Sequence, residues 1–254
     1  MRLTDMARQP RRTAATATAA GLCLALLPAA SGAAQHGTDG PRGVDRVCAE
    51  AEADDDPYRD VSSQSVHFRA VVCATEDGIA HGYDDGTFRP ADSVTRQQLA
   101  SFLAEMIEQE RPLFEGDDEF EDVHPHSPHA RAIDALAASE VVEGRDDHIF
   151  APRERVRRDQ VASLVARAVD FAYNGAVDGS APPPATDGPY FSDLHRDNPH
   201  ASAIDALAEA SVVSGDRQGA YGPDEHVRRD QVASLLMRGY DHLDERLEED
   251  PPAN

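Results

Sequence analysis

Gly82-Tyr83-Asp84-Asp85-Gly86-Thr87-Phe88-Arg89-Pro90, followed by Val94-Thr95-Arg96-Gln97-Gln98, decides the fold, because the chain repeats this stretch in register twice more. Gly82, Phe88, Pro90, Arg96 and Gln98 return as Gly144, Phe150, Pro152, Arg158 and Gln160. They return again as Gly215, Tyr221, Pro223, Arg229 and Gln231. Outward from this stretch, each copy opens alike, with Tyr58-Arg59-Asp60-Val61, Phe120-Glu121-Asp122-Val123 and Phe191-Ser192-Asp193-Leu194. The first two copies lie 62 residues apart and the last two 71, the added length being a Pro/Gly segment. Such self-similarity makes each copy one supersecondary unit that buries its apolar face against its neighbours. It also favours three equivalent sites over a single active site.

Each copy reads as helix–loop–helix, and the fold class is all-α. Ser127 is a candidate N-cap with Pro128 at the first helical position, and Asn198 with Pro199 takes the same parts in copy three. Ala130, Ile133, Leu136 and Ala137 recur at helical spacing, as do Ala201, Ile204, Leu207 and Ala208. The first helix is expected to end near Val141-Val142 or Val212-Val213. Gly82, Gly144 and Gly215 would then supply a positive φ. Phe88, Phe150 and Tyr221 are candidate core plugs. Thr95 with Gln98 has the form of a capping box. Arg157 and Arg228 stand where Thr95 does, so that hydroxyl is lost, and Asp159 and Asp230 are the candidates to replace it.

Outside the copies, Arg8, Arg11 and Arg12 precede a small, apolar run from Ala14 to Leu27, and Ser31-Gly32-Ala33-Ala34 offers a cleavage site. Residues 1–34 therefore read as a secretory signal peptide, too short and too poor in large apolar residues for a membrane span. Residues 35–56 read as a disordered acidic lead-in, 57–107 as repeat one, 108–118 as a linker and 119–171 as repeat two. Residues 172–189 read as a Pro/Gly linker, 190–242 as repeat three and 243–254 as a polar tail. No stretch is left over for a catalytic domain.

The formal charge is −23, and every cation is arginine. Removing 1–34 makes the excess of acid larger, since that segment holds four Arg and one Asp. A charge of this sign repels phosphate backbones and argues against a nucleic-acid partner. Arginine suits bidentate binding of carboxylate or phosphate. Cys48 and Cys73 survive cleavage and could pair in an exported protein, pinning the lead-in to the first repeat. The other reading is two separate thiols, with Cys73 filling the core position of Ala135 and Ala206.

The pattern F-x-D-[VL], H-A-x-A-I-x-A-L-A, V-V-x-G, F-x-P and V-[TR]-R-x-Q closely resembles the S-layer homology repeat, in that family's usual number of three. The resemblance implies a pseudo-threefold all-α assembly in a secreted, nonenzymatic protein. It implies noncovalent anchoring at the bacterial cell wall or cell surface, through a secondary cell-wall polymer, often pyruvylated, or through peptidoglycan. The family's Thr-Arg-Ala-Glu motif falls on Thr95-Arg96-Gln97-Gln98, Arg157-Arg158-Asp159-Gln160 and Arg228-Arg229-Asp230-Gln231. Its arginine, the main ligand contact, is kept in all three copies. Its glutamate is glutamine in each, and its threonine is arginine in two. The expected ligand-binding set is Arg96, Arg158 and Arg229 with Gln98, Gln160, Gln231, Asp60, Asp122, Asp193, Gly82, Gly144 and Gly215.

Physical chemistry agrees with that mapping. Each arginine sits in the first turn of a helix, where free amides and the positive helix end favour an anion. Three such grooves would give avidity for a repeating polymer. The competing reading is that each arginine pairs with Asp60, Asp122 or Asp193 as a structural bridge between repeats. His67, His129 and His200 share one position per copy; packing or hydrogen bonding is the expected role rather than metal. Asp84-Asp85-Gly86 lacks the later ligands of a calcium loop and reads as a turn. No cofactor or metal is expected, and no nucleophile elbow, phosphate loop or metalloprotease motif is present. Self-association in a surface layer, or binding of a protein partner, is the alternative function.

Overall fold

The computed structural model describes residues 48, 58–117, 119–146, 148–177 and 190–252. The expected signal peptide, the lead-in apart from Cys48, and residues 178–189 of the Pro/Gly linker lie outside the described residues. Within them each copy forms two helices: α1 (Phe68–Glu76) and α2 (Arg96–Glu108), α3 (Ala130–Ala138) and α4 (Arg158–Asn174), α5 (Ala201–Glu209) and α6 (Arg229–Glu249).

Capping follows the side chains that can accept an amide. The first helices start two residues later than expected, at Ala130 and Ala201 rather than Pro128 and Pro199. His67, His129 and His200 are their N-cap residues, without a side-chain cap. Ser65, Ser127 and Asn198 accept from the backbone N–H of those histidines at 3.2, 3.3 and 2.8 Å, in the turn before the helix. At the second helices, Gln98, Gln160 and Gln231 Oε1 accept from the backbone N–H of Thr95, Arg157 and Arg228 at 3.1, 3.0 and 3.0 Å. Arginine has no acceptor to offer as a cap. Asp159 and Asp230 take that part, each accepting from the next amide at 2.8 Å. Arg157 and Arg228 fork onto the same two carboxylates.

The first helices stop three residues before the expected point. They end at left-handed residues, Gly78 (φ 72°), Glu140 (φ 57°) and Ser211 (φ 60°). The expectation of positive φ at Gly82, Gly144 and Gly215 is overturned; none of them has it. Glycine is needed there for space. A Cβ on Gly144 would stand 2.5 Å from the Asp146 carbonyl oxygen and 2.9 Å from the Phe120 ring, and Gly215 faces Ala220 and Phe191 in the same way. On Gly82 it would run into the Tyr58 ring. Those rings matter because the opening aromatic of each copy packs on its loop aromatic: Tyr58 on Phe88, Phe120 on Phe150, Phe191 on Tyr221, with centroids 5.1 to 5.3 Å apart. Phe88, Phe150 and Tyr221 are buried at the centre of each copy.

No first helix packs on the second helix of its own copy. α3 packs on α2, α5 on α4, and α1 on α6, while α2, α4 and α6 meet one another. A ring of three main-chain bonds lies where they converge. Val94 N–H donates to the Val227 carbonyl at 3.0 Å, Val156 to Val94 at 3.1 Å and Val227 to Val156 at 3.3 Å. The cycle closes on itself and gives the assembly its pseudo-threefold axis. A second cycle runs outside it, with His129 Nδ1 on Ser101, His200 on Ser163 and His67 on Ser234 at 2.7, 2.8 and 2.8 Å.

The repeats are unequal at their ends. α6 continues through Glu249, with Leu243 fully buried, Arg246 3.9 Å from the Tyr173 ring centroid, and Tyr173 Oη donating to the Asp250 carbonyl. Segment 243–249 is therefore helix. Cys48 and Cys73 are joined by a disulfide, and both guanidinium Nε and Nη2 of Arg69 donate to the Cys48 carbonyl at 3.0 and 2.8 Å.

Two outcomes follow from this packing. Glu140→Gly should raise stability by about 0.5–1 kcal/mol, since it relieves a left-handed residue, whereas Gly144→Ala should cost about 2 kcal/mol or more through overpacking; urea unfolding of both variants checks the contrast. Burial lowers the pKa of His67, His129 and His200, so the unfolded chain binds more protons below about 6.5. Stability should be full above that pH and fall as pH drops through the lowered folded values. A triple His→Gln variant should show a shallower loss between pH 7 and 5.

Candidate functional site

The helix starts that promised anion sites are occupied by protein. The amides of Arg96 and Gln97 donate to the Glu154 and Pro152 carbonyls of the next copy at 2.8 and 3.0 Å. Arg158 and Asp159 do the same to Glu225 and Pro223, and Arg229 and Asp230 to Asp92 and Pro90. Each helix N-terminus is thus plugged by the loop of the following repeat, and the third by the first. The free amides that the sequence argument relied on are consumed in closing the ring.

The arginines follow the same cyclic order. Arg96 donates through Nε to the Phe150 carbonyl at 2.7 Å and through Nη2 to the Glu143 carbonyl at 2.9 Å. Arg229 donates to the Phe88 and His81 carbonyls, both at 2.7 Å. Arg158 makes one such bond, through Nη2 to the Ser214 carbonyl at 2.8 Å. Each guanidinium carbon also lies 4.5 to 4.7 Å from the centroid of the loop aromatic, Phe150, Tyr221 or Phe88.

The aspartates serve their own loops. Asp60 accepts from the amides of Phe88 and Arg89, Asp122 from Phe150 and Ala151, Asp193 from Tyr221 and Gly222, all at 2.7 to 2.8 Å. Arg89 and Ala151 carry positive φ, as does Gly222, and the two-pronged carboxylate holds that strained corner. Burial works against the charge on Asp193, yet the Tyr221 and Gly222 amides, with Arg158 nearby, hold it below the usual carboxylate value. No arginine–aspartate bridge of the expected kind joins the repeats among the described residues.

Three grooves that are alike in motif differ in access. Arg229 is buried at 3% exposure, with the Tyr83, Phe88 and Phe102 rings around it. Gln98 Nε2 donates to the Tyr83 hydroxyl at 3.2 Å and holds that lid. Beside Arg96, Arg145 stands at the register position of Tyr83 and is tied to Glu154, and Arg167 is tied to Glu143. At Arg158 the register residue is Asp216, which folds into its own turn through the Gln218 and Ala220 amides. The way in is open. A cleft of about 480 Å³ brings Arg158 together with Gln231 and with three residues the sequence argument passed over, Arg69, Arg238 and Val66. Val66 is 89% exposed. Among the described residues, the lining contains no carboxylate.

Burial raises the Tyr221 hydroxyl to about 12, so it stays protonated and donates to the Arg158 carbonyl at 3.2 Å. A larger cleft, about 620 Å³, runs past Arg157 but carries Asp193, Asp197, Asp224 and Glu225, and would repel an anion. No group of three or more metal-ligating side chains forms among the described residues.

The S-layer homology domain profile matches residues 57–100, 119–162 and 190–233, half of the chain. A cellulosome-anchoring protein of Acetivibrio thermocellus is 27% identical over 47% of this chain and 28% of its own length. A surface-layer 125 kDa protein of Lysinibacillus sphaericus is 25% identical over 69% of this chain and 14% of its own length. An endoglucanase of a Bacillus species is 30% identical over 46% of this chain and 13% of its own length. The chain thus spans a minor part of these relatives, and the match to the endoglucanase lies in the repeats. No helix among the described residues is long and apolar enough to cross a membrane.

Access is directly measurable. Phenylglyoxal should modify Arg158 and Arg238 in the folded protein and leave Arg229 unmodified, with peptide mass spectrometry as the readout; Tyr83→Ala should expose Arg229 to the reagent.

Proposed function

The chain belongs to the S-layer homology family, and on that footing we propose that it is a noncatalytic anchoring module that binds an anionic secondary cell-wall polysaccharide at the bacterial surface. An export signal over residues 1–34 would deliver it there. The observation that carries the proposal is the cleft at Arg158, an arginine-lined opening with no carboxylate among the described residues, in a chain of charge −23.

The chemistry fits an acidic sugar. A guanidinium that keeps one edge on the Ser214 carbonyl can still present another to a carboxylate or phosphate. Its position over Tyr221 fixes the plane of the fork. Val66, 89% exposed, offers apolar surface for the face of a sugar ring, and Gln231 offers an amide. The names of the relatives support the same role, one being an anchoring protein and another a surface-layer protein. Relatives with catalytic names match this chain over a small share of their length, so their activities are not carried over.

Asp60, Asp122 and Asp193 enter this proposal as loop supports that shape each groove. Gly82, Gly144 and Gly215 enter as the space beneath it. Arg96 and Arg229 serve mainly to close the ring, and Arg158 is the arginine that meets ligand.

Cosedimentation tests this. The protein should pellet with purified native walls and not with walls stripped of secondary polymer. Arg158→Ala should weaken native-wall binding by about tenfold or more in a protein that stays folded by circular dichroism. Equal binding to both wall preparations would transfer the ligand to peptidoglycan, and binding to neither would end the anchoring proposal.

A further inference from the structure

The three copies share their motif residues, so what distinguishes the open cleft must lie at positions where the copies differ. The position nine residues beyond each groove arginine on the second helix is one of these. It is Glu105 in copy one, Arg167 in copy two and Arg238 in copy three. The loop position in register two residues before the aligned Tyr83, Arg145 and Asp216 is His81, Glu143 or Ser214. Glu143 meets Arg167, and Ser214 lines one cleft with Arg238. In copy two the pairing is satisfied, because Arg167 is tied to Glu143. In copy three the acid has become serine and the cation has stayed.

Arg238 consequently lines the Arg158 cleft without an ion pair among the described residues. Its Nε is buried with no hydrogen-bond partner. An unsatisfied buried guanidinium N–H is costly in a folded protein. Burial and then the neighbouring Arg158 both lower its pKa, so two like charges share one opening. Arg69 also lines the cleft and donates to the Cys48 carbonyl, but the unbalanced pair is Arg158 with Arg238. Holding like charges together in one cleft is unfavourable unless something of opposite charge enters it.

We propose that Arg238 is a second ligand contact in the Arg158 cleft, so that this groove alone takes a wall-polymer segment presenting two negative charges. The proposal rests on the anchoring role above and narrows it, from any acidic sugar to one with two neighbouring acidic groups or one doubly charged group. Arg158 takes the first charge over Tyr221. Arg238 takes the second and gains the partner its Nε lacks. Val66 covers the apolar face of the ring between them.

The test uses soluble polymer released from native walls and the full exported chain, with affinity measured by titration calorimetry. Arg238→Gln should weaken binding about ten- to a hundredfold and flatten its salt dependence, while the unfolding temperature holds. Arg238→Lys, which keeps the charge and the stem but not the fork, should recover part of the loss. Arg167→Gln, the register equivalent, should bind as the parent does.

If Arg158→Ala loses binding and Arg238→Gln does not, the two-charge assignment falls and the anchoring role stands. If neither loses binding, both fall. If Arg167→Gln weakens binding as much as Arg238→Gln, the restriction to one groove is wrong. Polymer with amidated carboxylates, and polymer freed of phosphate by hydrofluoric acid, identify the source of the charge. Undiminished binding to both would overturn a doubly charged ligand.

Discussion

The ring of main-chain hydrogen bonds through Val94, Val156 and Val227 is the constraint on which the rest of the structure depends. A cycle of three donors and three acceptors has no ends, so each copy is satisfied only when both others are in place. The same order governs the next layers outward. Helix starts are plugged by the following loop, groove arginines donate to its carbonyls, and histidines meet serines of the preceding copy. Because no first helix packs on its own second helix, the unit of sequence is not a unit of packing. Burial that would stabilise a single helical hairpin is available only between hairpins.

This arrangement changes the meaning of the arginine motif. Seen locally, an arginine in the first turn of a helix belongs to an anion site, and the energetic argument for that is sound. In the ring the same donors are already committed, and a ligand would have to compete with a carbonyl at 2.7 Å in two of the three grooves. Only where the ring leaves the guanidinium partly free does the local argument recover its force. That happens beside Ser214, where Tyr221 provides the platform and Asp216 stays out of the way.

Much of the fold could be read from the residues. Register, helix count per copy, the glutamine caps and the replacement of the lost threonine by Asp159 and Asp230 all depend on neighbours close in sequence. What escaped depends on neighbours far away. Gly144 looks like a helix terminator until the Phe120 ring is seen against it, and the left-handed corner belongs to Glu140 instead, which nothing in its chemistry announces. Arg238 escaped for a different reason. Aligning the copies directs attention to what they share, whereas Arg238 matters because the loop residue that lines its cleft, Ser214, departs from Glu143. That signal was present in the sequence as a broken pairing between two columns.

The closed ring also bears on why there are three copies at all. A repeating polymer would tolerate two binding units or ten, and avidity alone sets no preferred number. The valine cycle does, since a pair of hairpins would leave donors and acceptors bare and a fourth would find none to join. Copy number is therefore a matter of closure geometry rather than of valency. Once closure is secured by all three, individual copies are at liberty to lose ligand contacts without loss of shape, so a threefold frame is compatible with the single working mouth proposed at Arg158.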